Sequence, residues 1–290
     1  MVITSKLFPV NFRKEKSVTS HYAIIGMGII CEDYPLYFDA VNEKGLCVAG
    51  LNFQGNAVYN TPVEGMYNIT PFEFILWVLS KCETADEAKT LLLKTNIIDM
   101  QFNKDYPLTP MHWIISDREK SIVAEPVSQG LEIYDNPTGV LTNNPPLPMQ
   151  YQNLNNYMSL SPSQPQNTFS KKLNLETYSR GMGALGLPGD YSSQSRFVRG
   201  VFVSHNMHKC DNEKDSVNQF FHMLSAVEQP KGCVITENGL EYSIYSSCMN
   251  ADKGIYYYKH YEDNCIFKAD MGEYDISSDK LIRADCKKAI

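Results

Sequence analysis

The 290-residue sequence has no apolar run approaching the ~18 residues that cross a bilayer. Its longest, Phe74-Ile75-Leu76-Trp77-Val78-Leu79, has the length of a core helix segment, and no membrane association is expected. The N-terminus lacks the charged, apolar, small-residue order of a secretory signal. Positive charge is also in short supply: 26 Lys and Arg stand against 33 Asp and Glu, for a net −7. Without a basic stripe there is nothing to hold a phosphate backbone, which argues against a nucleic-acid partner. The eight cysteines contain no C-x-x-C pair. With no export signal, free thiols in a reducing cytoplasm are expected rather than a disulfide framework. No G-x-S-x-G advertises a serine hydrolase, and no repeat of 20–50 residues is visible.

What is present is ordinary for a folded protein: 43% hydrophobic and 20% charged residues. Val2-Ile3-Thr4 reads as a strand at the very start, since β-branched side chains suit a pleated surface. HYAIIGMG (21–28) and GLCVAGLNF (45–53) read as further strands, with a turn at Asn42–Gly45 where glycine can take positive φ. Two helices follow, announced by the capping boxes Thr70-Pro71-Phe72-Glu73 and Thr84-Ala85-Asp86-Glu87. MHWIISD, SIVAEP, LEIYD and GVLTNN then predict a four-stranded meander over 111–143, ended by Pro145, Pro146 and Pro148. Residues 159–180 are polar and proline-containing, the pattern of a long surface loop. A second helical pair is predicted from Ser192 or Ser193 to about 208 and from Asp215 to about 227. The last sixty residues return to strands rich in tyrosine, with a turn at Asn250–Gly254. The order β, αα, β, αα, β disfavours a doubly wound parallel sheet. Helix pairs covering two stacked antiparallel sheets are the simplest layered solution, with no linker dividing residues 1–290.

Several motifs invite chemistry. Gly181-x-Gly183-x-x-Gly186 matches a dinucleotide fingerprint, but it follows a polar loop instead of a strand, so a tight glycine loop is the better reading. His205, His208 and Cys210 have ligand spacing without a second cluster to complete a metal site, and a surface helix end is expected there. No metal or other cofactor is called for. Asn52 and Asn143 each stand at the end of an apolar run, where carboxamides aimed into one cleft are suitable oxyanion donors; turn-forming asparagines are the plain alternative. Arg196 sits in a predicted first helical turn, where the helix dipole disfavours a cation. That suggests a tertiary use, with a surface arginine as the alternative.

Taken together, seven stretches resemble the choloylglycine hydrolase family of bile salt hydrolases and penicillin V acylases. They are HYAIIGMG, EDYPLYFDAVNEKGLCVAGLNF, TPFEFILWVL, MHWIISD, GVLTNNP, GLPGDYSSQSRFVR and YSSCMNADKGIYYYKHY, in family order over about residues 21–270. The resemblance implies an α+β, four-layer αββα sandwich of the N-terminal-nucleophile type. It implies hydrolysis of an amide C–N bond by an N-terminal cysteine thiolate whose own α-amine, with a pKa of roughly 7.7–8.0, serves as base. By motif Asn52 matches the oxyanion asparagine, Asn143 the second site asparagine and Arg196 the site arginine. Phe102 and Tyr106 match apolar positions that face the steroid. The implied substrates are glycine- or taurine-conjugated bile acids, in a cytoplasmic bacterial enzyme whose relatives are commonly homotetramers. An acylase for penicillin V or acyl-homoserine lactones is the alternative within the family, and Asn52 argues against it because many penicillin V acylases carry tyrosine there. A non-catalytic bile-acid-binding protein is the alternative outside it.

One departure matters. Family members begin Met-Cys and carry an Arg-Asn-x-Asp segment on the next strand, whereas VITSKLFPVNF resembles the stretch that follows both. The chain is therefore expected to be N-terminally truncated, to lack the first hairpin and the nucleophile, and to be inactive as written. It is also expected to expose sheet edge. The internal cysteines, Cys31 and Cys47 included, are expected to be packed or loop thiols, since none has a free α-amine.

Overall fold

The computed structural model describes residues 1–237 and 239–289. In chain order the elements are β1 (Val2–Thr4), β2 (Ile24–Cys31), β3 (Tyr34–Asn42), β4 (Cys47–Asn52), β5 (Tyr67–Ile69), α1 (Phe74–Leu79), α2 (Ala85–Leu92), β6 (Thr95–Ile97), β7 (Met111–Ser116), β8 (Ser121–Val127) and β9 (Gly130–Asp135). There follow α3 (Leu147–Asn153), α4 (Ser193–Asn206), α5 (Glu213–Ser225), β10 (Val234–Thr236), β11 (Gly239–Glu241), β12 (Tyr245–Asn250), β13 (Ile255–His260), β14 (Asp263–Asp270), β15 (Leu281–Arg283) and β16 (Lys287–Lys288). They fall into two compact units, residues 1–144 with 243–290 and residues 145–242.

The first unit is built on an eight-stranded sheet in the order β15-β1-β2-β3-β4-β7-β8-β9, accompanied by a four-stranded sheet, β12-β13-β14-β16. Period-two alternation puts neighbouring residues on opposite faces of the larger sheet. Val2, Ile24, Ala40, Val48, Trp113 and Ile115 pack with the α1 and α2 side chains, while Ile3, Ile25 and Val41 pack with Tyr256 and Ala269 of the smaller sheet. The larger sheet is thus apolar on both faces, and helices, sheet and second sheet form successive layers. All six residues of α1 are buried, and Phe74 stacks on Trp113 at 3.9 Å.

Three buried or half-buried hydrogen bonds support this layering. Glu73 accepts from the Thr70 backbone N–H at 2.8 Å, closing the first predicted capping box. Between the sheets, Tyr245 donates to Asp39 Oδ2 at 2.5 Å and Tyr256 donates to Asp39 Oδ1. Burial pushes the Asp39 carboxyl up to about 6, against the opposing pull of these hydroxyls. Gly26 is required where β2 meets β3, because a Cβ there would lie 2.3 Å from the Asp39 carbonyl oxygen. Gly45 turns at φ +92°, as the Asn42–Gly45 turn demands.

The second unit holds α3, α4, α5 and the β10–β11 hairpin, with residues 158–181 irregular. Arg199 ties its helices to the preceding loop, donating to the carbonyls of Ala226, Pro188 and Asp190 at 2.7–2.8 Å. Asp190 accepts from the Ser192 N–H at 2.9 Å and the Ser195 hydroxyl at 2.6 Å, and these bonds hold its carboxyl well below the usual range. The Gly181–Gly186 motif is indeed a glycine loop, with Gly181 at φ +82° and Gly186 at φ +98°.

The structure differs from expectation in several places. GVLTNN is not a fourth meander strand: the last backbone bond to β8 is from the Asn136 N–H to the Ser121 carbonyl, and beyond it Asn136 and Thr138 bond each other and the Val140 backbone. The prolines after it open helix α3, because proline suits a first turn whose N–H groups have no partner anyway. The cap of α5 is Asn212, which accepts from the Asp215 N–H, instead of Asp215 itself. Finally β1 is not a bare edge, since it pairs with β2 on one side and β15 on the other.

Candidate active site

Strand β4 delivers Asn52 to its end. The residue after it decides the geometry: Phe53 is wholly buried and stacks on His112 with ring centroids 4.2 Å apart. His112 Nδ1 in turn lies 3.1 Å from Glu125 Oε1, both side chains being fully enclosed. This anchor turns the exposed Asn52 outward at the last β4–β7 pair, Asn52 with Met111. The segment after β9 then crosses the same strand end. Asn143 Nδ2 donates to the Asn52 carbonyl at 2.8 Å, and Asn144 Nδ2 to the Gln54 carbonyl at 2.6 Å. Two asparagines 91 residues apart are thereby gathered at one place. Neutral carboxamides at a strand end can donate to a developing oxyanion without the desolvation cost of a buried charge.

Phe102 and Tyr106 lie in the same unit, on the irregular segment between β6 and β7. Phe102 is 8% exposed and Tyr106 is 38% exposed. Their ring centroids are 6.2 Å apart, and Phe102 also meets Phe72 at 5.1 Å and Tyr34 at 5.8 Å. Arg13 lies 5.7 Å from the Phe72 centroid and 5.3 Å from that of Phe102. The Tyr34 hydroxyl is buried without a hydrogen-bond partner among the described residues, and burial pushes its ionisation well above the usual tyrosine range. Sequence reading singled out Phe102 and Tyr106 but missed Phe72, Tyr34 and Arg13. Phe72 sits within the recognisable TPFEF stretch, but Arg13 carries no signal beyond a basic loop.

Arg196 belongs to the second unit, in the first turn of α4. Its Nε donates to the Tyr191 carbonyl at 3.2 Å. Burial lowers its pKa, against the pull of Glu241. The half-buried guanidinium is thus held by its own loop. Neither His205, His208 and Cys210 nor any other three His, Cys, Asp or Glu among the described residues come together as a metal group.

None of the eight cysteines is joined in a disulfide, and two are held unreactive by their environment. Burial pushes Cys47 and Cys82 each up to about 12, far from a thiolate at neutral pH.

A helix-covered pair of antiparallel sheets with paired asparagines at a strand end defines the class: the fold is that of the N-terminal-nucleophile hydrolases. The solved conjugated bile acid hydrolase of Clostridium perfringens, in a mutant form, superimposes with a TM-score of 0.88 at 37% identity, over 100% of this chain and 88% of that one. Penicillin V acylase from Agrobacterium tumefaciens shares the fold at a TM-score of 0.74 and 18% identity, over 96% of this chain and 80% of that one. Residues 1–289 match the family of linear amide C–N hydrolases, choloylglycine hydrolase family, and the chain belongs to that family. It is 50% identical to a bile salt hydrolase/transferase of Lactiplantibacillus plantarum over 97% of this chain and 87% of the relative. It is 40% identical to one of Clostridium perfringens over 94% of this chain and 84% of the relative. No helix among the described residues is long and apolar enough to cross a membrane.

Proposed function

We propose that this family member is a bile salt hydrolase sequence whose substrates are glycine- or taurine-conjugated bile acids. The observation that carries the reading is the 50% identity, along nearly the whole chain, to a relative named for bile salts. In the proposed reaction a cysteine thiolate attacks the amide carbonyl, and the Asn52 carboxamide with backbone N–H groups receives the oxyanion. Asn143 fixes the strand end that carries Asn52. Arg196 is the site arginine by motif. The aromatic surface of Phe102 and Tyr106 takes the steroid body, whose large apolar area suits such a wall. The reading includes one domain over residues 1–290, a cytoplasmic location, a homotetramer and no cofactor.

The test is amino-acid release from glycocholate and taurocholate by a version of the protein that carries a family-like Met-Cys segment ahead of these residues. Release is expected. Within it, Asn52→Ala lowers kcat by about 10²–10³, the usual cost of one oxyanion donor. Turnover that survives replacement of that cysteine by alanine overturns the mechanism, and a preference for penicillin V over glycocholate overturns the substrate.

A further inference from the structure

The segment that carries Phe102 and Tyr106 is fastened in an unusual way. Its ends are pinned through the backbone or by Tyr59: Asp99 N–H donates to the Asn60 carbonyl at 3.0 Å, and Tyr59 donates to the Thr109 carbonyl at 2.6 Å while accepting from Met111 N–H at 2.8 Å. Among the described residues, 101–108 make no backbone–backbone hydrogen bond. Side chains from elsewhere hold this stretch instead, Arg13 and Glu32 foremost, with Cys31 Sγ 3.9 Å from Asn103 Nδ2. Arg13 Nη2 donates to the Phe102 carbonyl at 3.0 Å while its guanidinium covers the Phe102 ring. Glu32 Oε1 accepts from Asn103 Nδ2 at 2.8 Å, and Asn103 Oδ1 accepts from the N–H groups of Asp105 and Tyr106 at 3.0 and 3.1 Å.

Both holders are themselves fixed. The Arg13 backbone N–H donates to Glu73 Oε1 at 2.5 Å, which ties it to the start of the α1 region. Glu32 sits at the tip of the β2–β3 hairpin at φ +51°, beside Asp33 at φ +56°. Two-residue hairpin turns of this kind favour Asn-Gly, and glutamate is a poor choice there. A residue held in an unfavourable conformation points to a role for its side chain, and the Glu32 carboxylate is the grip on Asn103. The Tyr34 ring packs against Phe72 and Phe102, and its buried hydroxyl has no hydrogen-bond partner among the described residues.

We propose that Arg13 and Glu32 are specificity-determining positioning residues. Together they clamp residues 101–108 so that Phe102 and Tyr106 form a fixed apolar wall matched to a large acyl group. The inference rests on the bile-acid reading for the identity of that group, but the clamp itself does not.

The variants are Arg13→Met, which keeps the stem and loses the fork, and Glu32→Gly, which removes the grip while relieving the positive φ. The 290-residue protein and both variants are titrated calorimetrically with glycocholate and with phenylacetylglycine, whose acyl group is small. Hydrogen exchange at the Asp105 and Tyr106 amides is followed without ligand. Each variant is expected to weaken glycocholate binding about tenfold, the scale of one charge-assisted bond, with less than about twofold change for the small ligand. Both should speed exchange at the two amides. Glu32→Gly should do so with a melting temperature no lower than the parent, a combination that a merely structural role would not produce. Unchanged affinity and unchanged exchange in both variants overturn the clamp. Faster exchange in variants of a parent that binds phenylacetylglycine but not glycocholate supports the clamp and defeats the bile-acid reading.

Discussion

The two units of this chain bury their apolar side chains in different ways. In the unit built on the eight-stranded sheet, Ile3, Ile25, Val41, Phe74 and Trp113 are at most 1% exposed. In the unit of residues 145–242, Phe169 and Tyr178 are 83% and 82% exposed, on a stretch without regular structure. Both regions contain large apolar residues, so composition does not separate them. The difference is periodicity. A strand repeats every two residues, so alternate positions share a face and can be covered by one layer. An irregular stretch has no shared face, and its apolar side chains have no common partner.

That comparison can be broken at several points. The largest effect is expected in the first core, where Trp113→Ala removes the ring stacked on Phe74 and should cost about 3–5 kcal/mol in urea unfolding. A loss below about 1 kcal/mol would mean the core repacks freely.

The second effect concerns charge in that core. The Asp39 carboxyl is raised from 3.8 to about 6, mainly by burial. A raised folded-state value stabilises the protein most below pH 3.8, and that contribution fades as pH climbs through 6. Relative to Asp39→Asn, the parent should therefore lose up to about 3 kcal/mol of stability between pH 4 and pH 7.5. A stability difference between the two proteins that stays flat across this range would rule out the shift.

Smaller effects compare the same device in both units. Thr84 accepts from the Glu87 N–H at 3.2 Å, and Asn212 from the Asp215 N–H at 3.0 Å. Replacing either by alanine should cost about 1 kcal/mol. A clear inequality would show that one helix depends on its cap more than on its packing. Smallest of all, Phe169→Ser should change the melting temperature of the 290-residue protein by no more than a surface substitution does, within about 0.5 kcal/mol. A larger loss would mean that its ring is covered in solution.

Legibility followed range. The capping boxes at Thr70 and Thr84 were readable because the cap and its partner lie within one turn, although Glu87 Oε2 reaches the Glu83 N–H instead of closing the second box. The Asn42–Gly45 turn was readable for the same reason. The helix α3 was not, since Pro145, Pro146 and Pro148 signal a break as readily as a first turn. GVLTNN looked like a strand because its apolar residues are β-prone, yet its backbone does not take up strand structure in the fold. Asn52 and Asn143 were found by motif, and their shared position depended on a contact across 91 residues.

From the sequence alone came the family, the chemistry that its motifs imply, the helix starts and most of the strands. All of these rest on contiguous residues whose propensities and hydrogen bonds act within a few positions. Only the tertiary structure placed Asp39 against Tyr245 and Tyr256, 206 and 217 residues away, and Arg13 against Phe102, 89 residues away. Such pairs form only once sheet order and register are set. Those are chosen by the burial of two sheet faces at once, a property of the whole chain that no short stretch carries.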